Sequence, residues 1–535
     1  MTLQLRLISW LTSPLLLTLI PSLLPIPSYP LYTTAQAQTS QDRKTEADKL
    51  LNQGIQQAQH SQYQAAIQSW QQALAIYQQL KDRNGEAKSL NNLGIAYRSL
   101  GKYQKAIEFH KQSLSIFRQI GNLNGEASPL ENLGSAYYSL GQYQNAIDFY
   151  QQSLSIFQKI GNRNGEANSL MNLGSAYYSL DQYQKAIDFY QQSLSIFQKI
   201  GDSPKEMLYL RVGEAKSLNN LGGAYYSLGQ YQNAINFYQQ SLTIKRQIGD
   251  RNAEANSLMN LGTAYFDLGQ HQTAINFYQQ SLSIFQKIGN RNGEANSLNN
   301  LGIAYDSLEE YPKAIDFYQQ SLSIFQKIGD HNGEANSLMN LGIAYAYSHL
   351  EQYPKAIDFY QQSLSIFQKI GNRNGEANSL SNIGNLLEKQ QQSELAIVFH
   401  KQAVNLRENI RQDLRKLPRE QQASYTQTVA STYRSLASLL LQKNRVMEAL
   451  QILDLLKVQE LQDYVRNVQG NERTVKGIEL FPQEQKIIQD YTAIQAPIIG
   501  LGTKLADLRK LQTRTLLNSN AFRKLRKSRR KLTNK

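Results

Sequence analysis

Asparagine returns at one repeated site: Asn92, Asn132, Asn172, Asn220, Asn260, Asn300, Asn340 and Asn382. Neighbours are 40 residues apart except for one gap of 48 and one of 42. A carboxamide carries both a donor and an acceptor, so it can bond a peptide backbone at two points. A row of carboxamides can therefore hold an extended chain without reading its side chains. Four residues before these positions stand Lys88, Ser128, Asn168, Lys216, Asn256, Asn296, Asn336 and Asn378. Lys88 and Lys216 suit an acidic group or a chain terminus, and Asn168 and Asn256 widen the amide row. Two other readings stand beside recognition. Near-identical units inherit their asparagines by duplication, and an asparagine at this site can bond the neighbouring helix and stabilise stacking.

Covalent chemistry finds no footing. The 535 residues contain no cysteine, which excludes disulfides, thiolate metal sites and a cysteine nucleophile within this chain. The six histidines are scattered: His110 and His400 fall where other units carry an aromatic residue, and His60, His271, His331 and His349 fall in turns. No pair has metal-ligand spacing, and no glycine-rich phosphate loop or His-Glu-x-x-His motif occurs. Gly174-Ser175-Ala176 is not a nucleophile elbow, since it sits inside a helix with no base in reach. The expectation is a protein that is not an enzyme and needs no cofactor and no metal.

The elements that must carry the asparagines follow from the period. Gly54, Gly94, Gly134, Gly174, Gly222, Gly262, Gly302, Gly342 and Gly384 recur in step with them. The longer gaps are explained by insertions at Ser203–Leu210 and in an Ala346-Tyr347-Ser348-His349 turn. A fixed period of this size means an array of supersecondary units. Each unit reads as two helices, A and B; around Gly174 these are predicted over Glu166–Leu180 and Gln182–Ile200. In B, Ala186, Ile187, Phe189, Tyr190, Leu194, Phe197 and Ile200 recur at i, i+3, i+4 and i+7, which makes one buried helical face. Gly161-Asn162 and its equivalents are residues that tolerate a left-handed helix end. Asn is a poor helix former, so its return on helix A in eight units asks for a reason.

These residues lie on a known pattern. With Gly174 as eighth position, Leu173 is seventh, Tyr177 eleventh, Ala186 twentieth, Tyr190 twenty-fourth and Ser193 twenty-seventh. Small, aromatic and small residues at those places make the chain resemble the tetratricopeptide repeat. The resemblance spans about Ala47 to Ala403. Leu170 stands where the family's fourth-position tryptophan would be, the terminal proline is missing, and the unit is about six residues longer than the common form. Long units of this kind are similar to those of kinesin light chains and spindle-orientation adaptors. The resemblance implies an all-α, right-handed α-solenoid (superhelix) of stacked helix-turn-helix units. It also implies that helix A lines a concave face, that asparagines there bind peptides as a ladder or a carboxylate clamp, and that the partners are proteins or extended peptide segments. Met171, Met259 and Met339, against Glu131 and Asn219 in other units, vary the fifth position, and methionine is common on adaptable binding surfaces.

The ends differ from the array. Residues 1–37 read as a signal peptide, with Arg6, an apolar Leu15–Leu24 core and a small-x-small site at Ala35-Gln36-Ala37, or as an uncleaved N-terminal anchor. The protein is then expected to be exported, periplasmic or extracellular, or held at a membrane by its N-terminus. Residues 38–80 form a degenerate first unit around Gly54, with Trp70 as a core residue, and residues 81–417 hold the array. Residues 418–468 read as a degenerate helical pair in which Ala437 and Ala449 keep the packing spacing. Residues 469–520 form a helical connector. Over about Leu455–Leu511 the chain resembles the segment after the repeats of bacterial, largely cyanobacterial, proteins that end in a CHAT-type (caspase-like) peptidase domain. That likeness implies an alternative function, the recognition arm of a peptidase whose catalytic part is missing or separately encoded. Residues 521–535 are a basic tail with Arg523, Lys524, Arg526, Lys527, Arg529, Arg530, Lys531 and Lys535. With a net charge of +14, the tail suits weak contact with an anionic surface. Only Phe522 could stack on a base, so no specific nucleic acid is expected.

Overall fold

A computed structural model describes residues 31–200, 207–348, 352–414, 419–464, 481–486 and 489. The expected signal peptide is largely outside the described residues, as are most of the connector and all of the basic tail. The chain is an all-α, right-handed α-solenoid of consecutive helix-turn-helix units, running from Leu31–Gln59 to Val446–Tyr464. Each A helix packs on its own B helix and B packs on the next A. Through most of the array, successive A helices also touch one another, which places the A helices on the inner side of the curve.

In the Gly174 unit, helix A is Arg163–Ser179 and helix B is Tyr183–Lys199. Helix A starts earlier than the sequence suggests, and the cause is its cap. Gly161 is left-handed (φ +72°) as expected, but Asn162 is not. Its φ is −81°, and its side chain accepts the backbone N–H of Gly165 at 2.9 Å. Asn162 is therefore an N-cap, satisfying one of the orphan donors of the first turn. Asn122, Asp250, Asn290, Asp330 and Asn372 do the same in other units.

Helices A and B interlock through three recurring contacts. A Cβ on Gly174 would stand 2.6 Å from the ring of Tyr190, so only glycine lets that ring lie flat on helix A. The fully buried Ser193 hydroxyl donates to the Ala167 carbonyl of helix A at 2.9 Å, and Ser113, Ser153, Ser241, Ser281, Ser321 and Ser363 repeat the bond. The rings of Tyr177 and Phe189 stack at 5.3 Å. The apolar contribution comes between units: Leu173 and Ala176 are buried against Ala146 and Ile147 of the preceding B helix, and Ala186 and Ile187 against Leu221 and Ala224 of the next A helix.

Two readings of the insertions are refined. Met207–Leu210 of the long insertion extend the next A helix, Met207–Ser227. Ala346 and Tyr347 lie in helix His331–Tyr347, and the turn begins only at Ser348. His271 and His331, expected in turns, open helices, whereas His60 does lie in a turn; His349 is outside the described residues. His110 and His400 are buried at the aromatic position, and Trp70 is buried with its Nε1 donating to the Leu51 carbonyl at 3.0 Å.

Beyond the regular units, Ser393–Leu414, Arg419–Gln442 and Val446–Tyr464 continue the stack with a shared apolar core. An ionic knot closes this end. Lys401, fully buried, donates to Glu448 at 2.6 Å and to Glu484 at 3.0 Å, while Arg445 bonds the same two carboxylates. Glu484 thereby ties the short segment 481–486 to the array.

Candidate functional site

The asparagine row lies along the seam where successive A helices meet. All eight sixth-position asparagines are half-buried, and the fifth position of the preceding unit decides what each one does. Asn132 donates to Asn91 at 3.2 Å, Asn172 to Glu131 at 3.0 Å, Asn260 to Asn219 at 3.3 Å and Asn340 to Asn299 at 3.0 Å. The other four face Leu51, Met171, Met259 and Met339, which offer no comparable acceptor. Among the described residues, Asn92, Asn220, Asn300 and Asn382 have no hydrogen bond from their carboxamides. The row is thus of two kinds, four asparagines that join units and four whose amides are uncommitted.

The second-position residues are more dispersed. Lys88 and Lys216 are exposed and stand three units apart, so each would act singly. Asn168 donates to the Tyr209 hydroxyl of the next unit at 2.5 Å, and Asn256 turns back to the Asn252 carbonyl of its own helix at 3.0 Å. Asn378 accepts from Arg407 at 3.1 Å.

A second line of bonds crosses the same seam. The Tyr138 hydroxyl meets Ser179 at 2.9 Å, Tyr178 meets Ser227 at 2.8 Å, and Tyr226 donates to Asp267. Phe266 ends the line, and the next residue in register is Asp306. Burial raises the Asp306 carboxyl to about 6, and its Oδ1 has no partner among the described residues.

Electrostatics on the inner face are set by burial. Glu131 is pushed up to about 7 by desolvation, only partly offset by the Asn172 bond and by Arg98. His110 is pushed down to about 3, again by burial first and the Arg98 charge second, so it stays neutral while its Nδ1 lies 2.8 Å from Asn91 Oδ1.

One feature escaped the sequence reading. At the C-terminal end of the array a half-open cavity of about 330 Å³ is lined by Asn378, Asn382, Asn385, Arg407, Thr432 and Ser435, among others. A smaller compartment of about 140 Å³ adjoins it through Asn382 and Asn385, with Ile343, Ala346 and Leu386 in its wall. The signal was present in the register: Arg407 occupies the thirty-first position, where most units carry phenylalanine. Among the described residues no group of histidines and carboxylates could hold a metal ion.

The tetratricopeptide repeat family model matches residues 45–119, 125–199, 213–287, 253–327, 293–369 and 334–409. No curated protein matches the chain. Solved structures similar to it include the apo quorum sensor NprR from B. thuringiensis, at 16% identity and TM-score 0.48 over 63% of this chain and 92% of that one. BtubC from P. vanneervenii is 18% identical, with TM-score 0.38 over 43% and 92% of the two chains. The nearly identical TPR-like repeats of a Podosopora anserina protein are 24% identical, with TM-score 0.33 over 39% and 98%.

Proposed function

The chain belongs to the tetratricopeptide repeat family, and from its inner face we propose that it is a non-catalytic scaffold that binds extended peptide segments of partner proteins. The observation that carries this reading is the uncommitted set of amides. Asn92, Asn220, Asn300 and Asn382 are held half-buried on rigid helices, each facing an apolar side chain across the seam, with donor and acceptor both available. Such a group costs helix propensity and gives nothing to stacking, whereas a peptide backbone laid along the seam would satisfy it. Asn132, Asn172, Asn260 and Asn340 support the face chiefly as ties between units. Lys88 and Lys216 add single positive charges along the path.

Selection of a random dodecapeptide phage library on the whole protein tests the proposal. Selected peptides are expected to lose at least tenfold in affinity for the Asn220→Ala/Asn300→Ala/Asn382→Ala variant, with helicity unchanged. Unchanged affinity, or a library that yields no saturable binder, would count against it. We further propose export, with cleavage after Ala37. Mass spectrometry of the mature N-terminus is expected to find Gln38, and an intact Met1 in the isolated protein would overturn that cleavage.

A further inference from the structure

A buried cation needs a counter-charge, because removing an ion from water costs several kcal/mol unless it is paired. The end of the array satisfies this in two of three places. Lys401 has Glu448 and Glu484, and Arg411 has Glu408. Arg407, on the same helix Ser393–Leu414, has neither. Its residue is 6% exposed, and its guanidinium donates only to the neutral Asn378 Oδ1 at 3.1 Å and Ser381 Oγ at 3.5 Å. Its Nε is buried without a partner. Among the described residues no carboxylate forms an ion pair with it, and the ionisable groups beside it, Tyr425 and Tyr433, are neutral phenols. Burial consequently draws its pKa below the usual guanidinium value.

Arg407 is also not sealed in. It lines the cavity of about 330 Å³, whose other walls are amides and hydroxyls from helices Arg373–Lys389 and Arg419–Gln442, together with Met339 and His400. His400 in the same wall has both ring nitrogens unpartnered and is held neutral by burial, at about 4. Lys245 also replaces the thirty-first-position phenylalanine and also bonds only neutral groups, Asn219 at 3.2 Å and Ser257 at 2.7 Å, but it feels the negative charge of Asp250, which Arg407 has no equivalent of.

We propose that this cavity is a carboxylate-binding site for a peptide, with Arg407 as the counter-ion and the surrounding amides and hydroxyls as donors. A single guanidinium among neutral groups matches a monoanion, and a carboxylate meets its planar fork with two parallel bonds. The adjoining compartment, walled by Ile343, Ala346, Leu386, Tyr347, Tyr360 and Lys389, whose ammonium lies over the Tyr347 ring, would take the side chain of the neighbouring residue. The carboxylate can come from a chain terminus or from an Asp or Glu side chain. The inference deepens the peptide-scaffold reading and shares with the asparagine row only Asn382, so small carboxylates, which cannot span the row, test it separately.

Calorimetric titration of the whole protein would use N-acetylglycine for a terminal carboxylate, N-acetylglutamate α-amide for a side-chain one, and N-acetylglycinamide and inorganic phosphate as controls. Saturable binding of at least one carboxylate is expected, at least tenfold tighter than phosphate, with no binding of the amide; the tighter carboxylate identifies the source. Arg407→Met should abolish binding without lowering the melting temperature, since it removes an unpaired buried charge. Asn382→Asp should also abolish binding and raise the melting temperature, because it supplies the missing anion from within. No saturable carboxylate binding, equal binding by Arg407→Met, tighter binding of phosphate, or a fall of many degrees in both variants would overturn the assignment.

Discussion

Phe285 lies so close to Gly293 that a Cβ on the glycine would stand 2.5 Å from the ring carbon Cδ1. The same closeness joins Tyr77 to Gly85, Phe157 to Gly165 and Phe325 to Gly333. In the one unit where this aromatic is Lys245, the following helix carries Ala253 where the others have glycine. Aromatic and glycine are therefore one packing unit, and both changed together. Gly293→Ala is expected to cost about 1–3 kcal/mol by overpacking. In a Phe285→Ala background the same change should cost nothing, or gain up to about 1 kcal/mol of helix propensity. Urea unfolding of the four proteins measures the coupling, and equal costs in both backgrounds would refute it.

The two kinds of asparagine should separate in stability. Asn172→Ala leaves Glu131 without its donor and is expected to cost about 1–3 kcal/mol. Asn300→Ala removes no bond and should stay within about 0.5 kcal/mol of the parent. Hydrogen exchange of the adjoining A helices is the suitable readout, because an array need not unfold in one step.

Glu131 predicts a pH dependence. Its carboxyl is raised from 4.5 to about 7, chiefly by burial, so the folded chain keeps a proton that the unfolded chain has lost within that window. Stability present at pH 4.5 is therefore lost as the pH rises through 7. The difference between pH 5 and pH 8 should be roughly 1–2 kcal/mol after allowance for partial exposure. Glu131→Gln, which keeps an acceptor for Asn172, should flatten this dependence in urea titrations across that range. A slope unchanged by the substitution would exclude Glu131 as its source.

Lys401 anchors the C-terminal knot. Lys401→Met leaves Glu448 and Glu484 with Arg445 alone and is expected to weaken local stability by about 3–5 kcal/mol. The loss should show as faster amide exchange in Val446–Tyr464 and around Glu484, with the units before Gly342 unaffected. Uniform acceleration along the whole chain would show that the knot acts globally instead.

The fold was legible because the information is local and repeated. The Gly174–Tyr190 contact, the Ser193 bond and the B-helix face all lie within one unit and within helical spacing. Asn162 was misread because a residue that tolerates a left-handed end also makes a good N-cap, and only the backbone angles distinguish the two. The site was legible in part. The positions of Asn92 to Asn382 follow from the register, but their bonding depends on residues 41 positions back, such as Glu131 for Asn172 or Met259 for Asn300. Arg407 was passed over because a charged residue on a helix is normally solvated. Its burial arises from Arg419–Gln442 closing over it, which no period announces.

The alternation at the fifth position has a mechanical consequence. Bonds across the A-helix seam hold most joints through the asparagine line or the tyrosine line. The Gly54/Gly94, Gly262/Gly302 and Gly342/Gly384 joints have neither, since Leu51, Met259 and Met339 face the asparagine and Ala58, Phe266 and Ala346 carry no hydroxyl. What ties these three lies near the start of the A helices: Lys44 pairs with Asp82, Asn290 donates to Asn252 at 2.8 Å and Asn372 to Asn332 at 3.0 Å. In a solenoid each unit is steadied only by its neighbours, so a joint pinned near one end of its helices can fan open at the other. The protein should then open and close its inner surface at those three places rather than along a smooth arc.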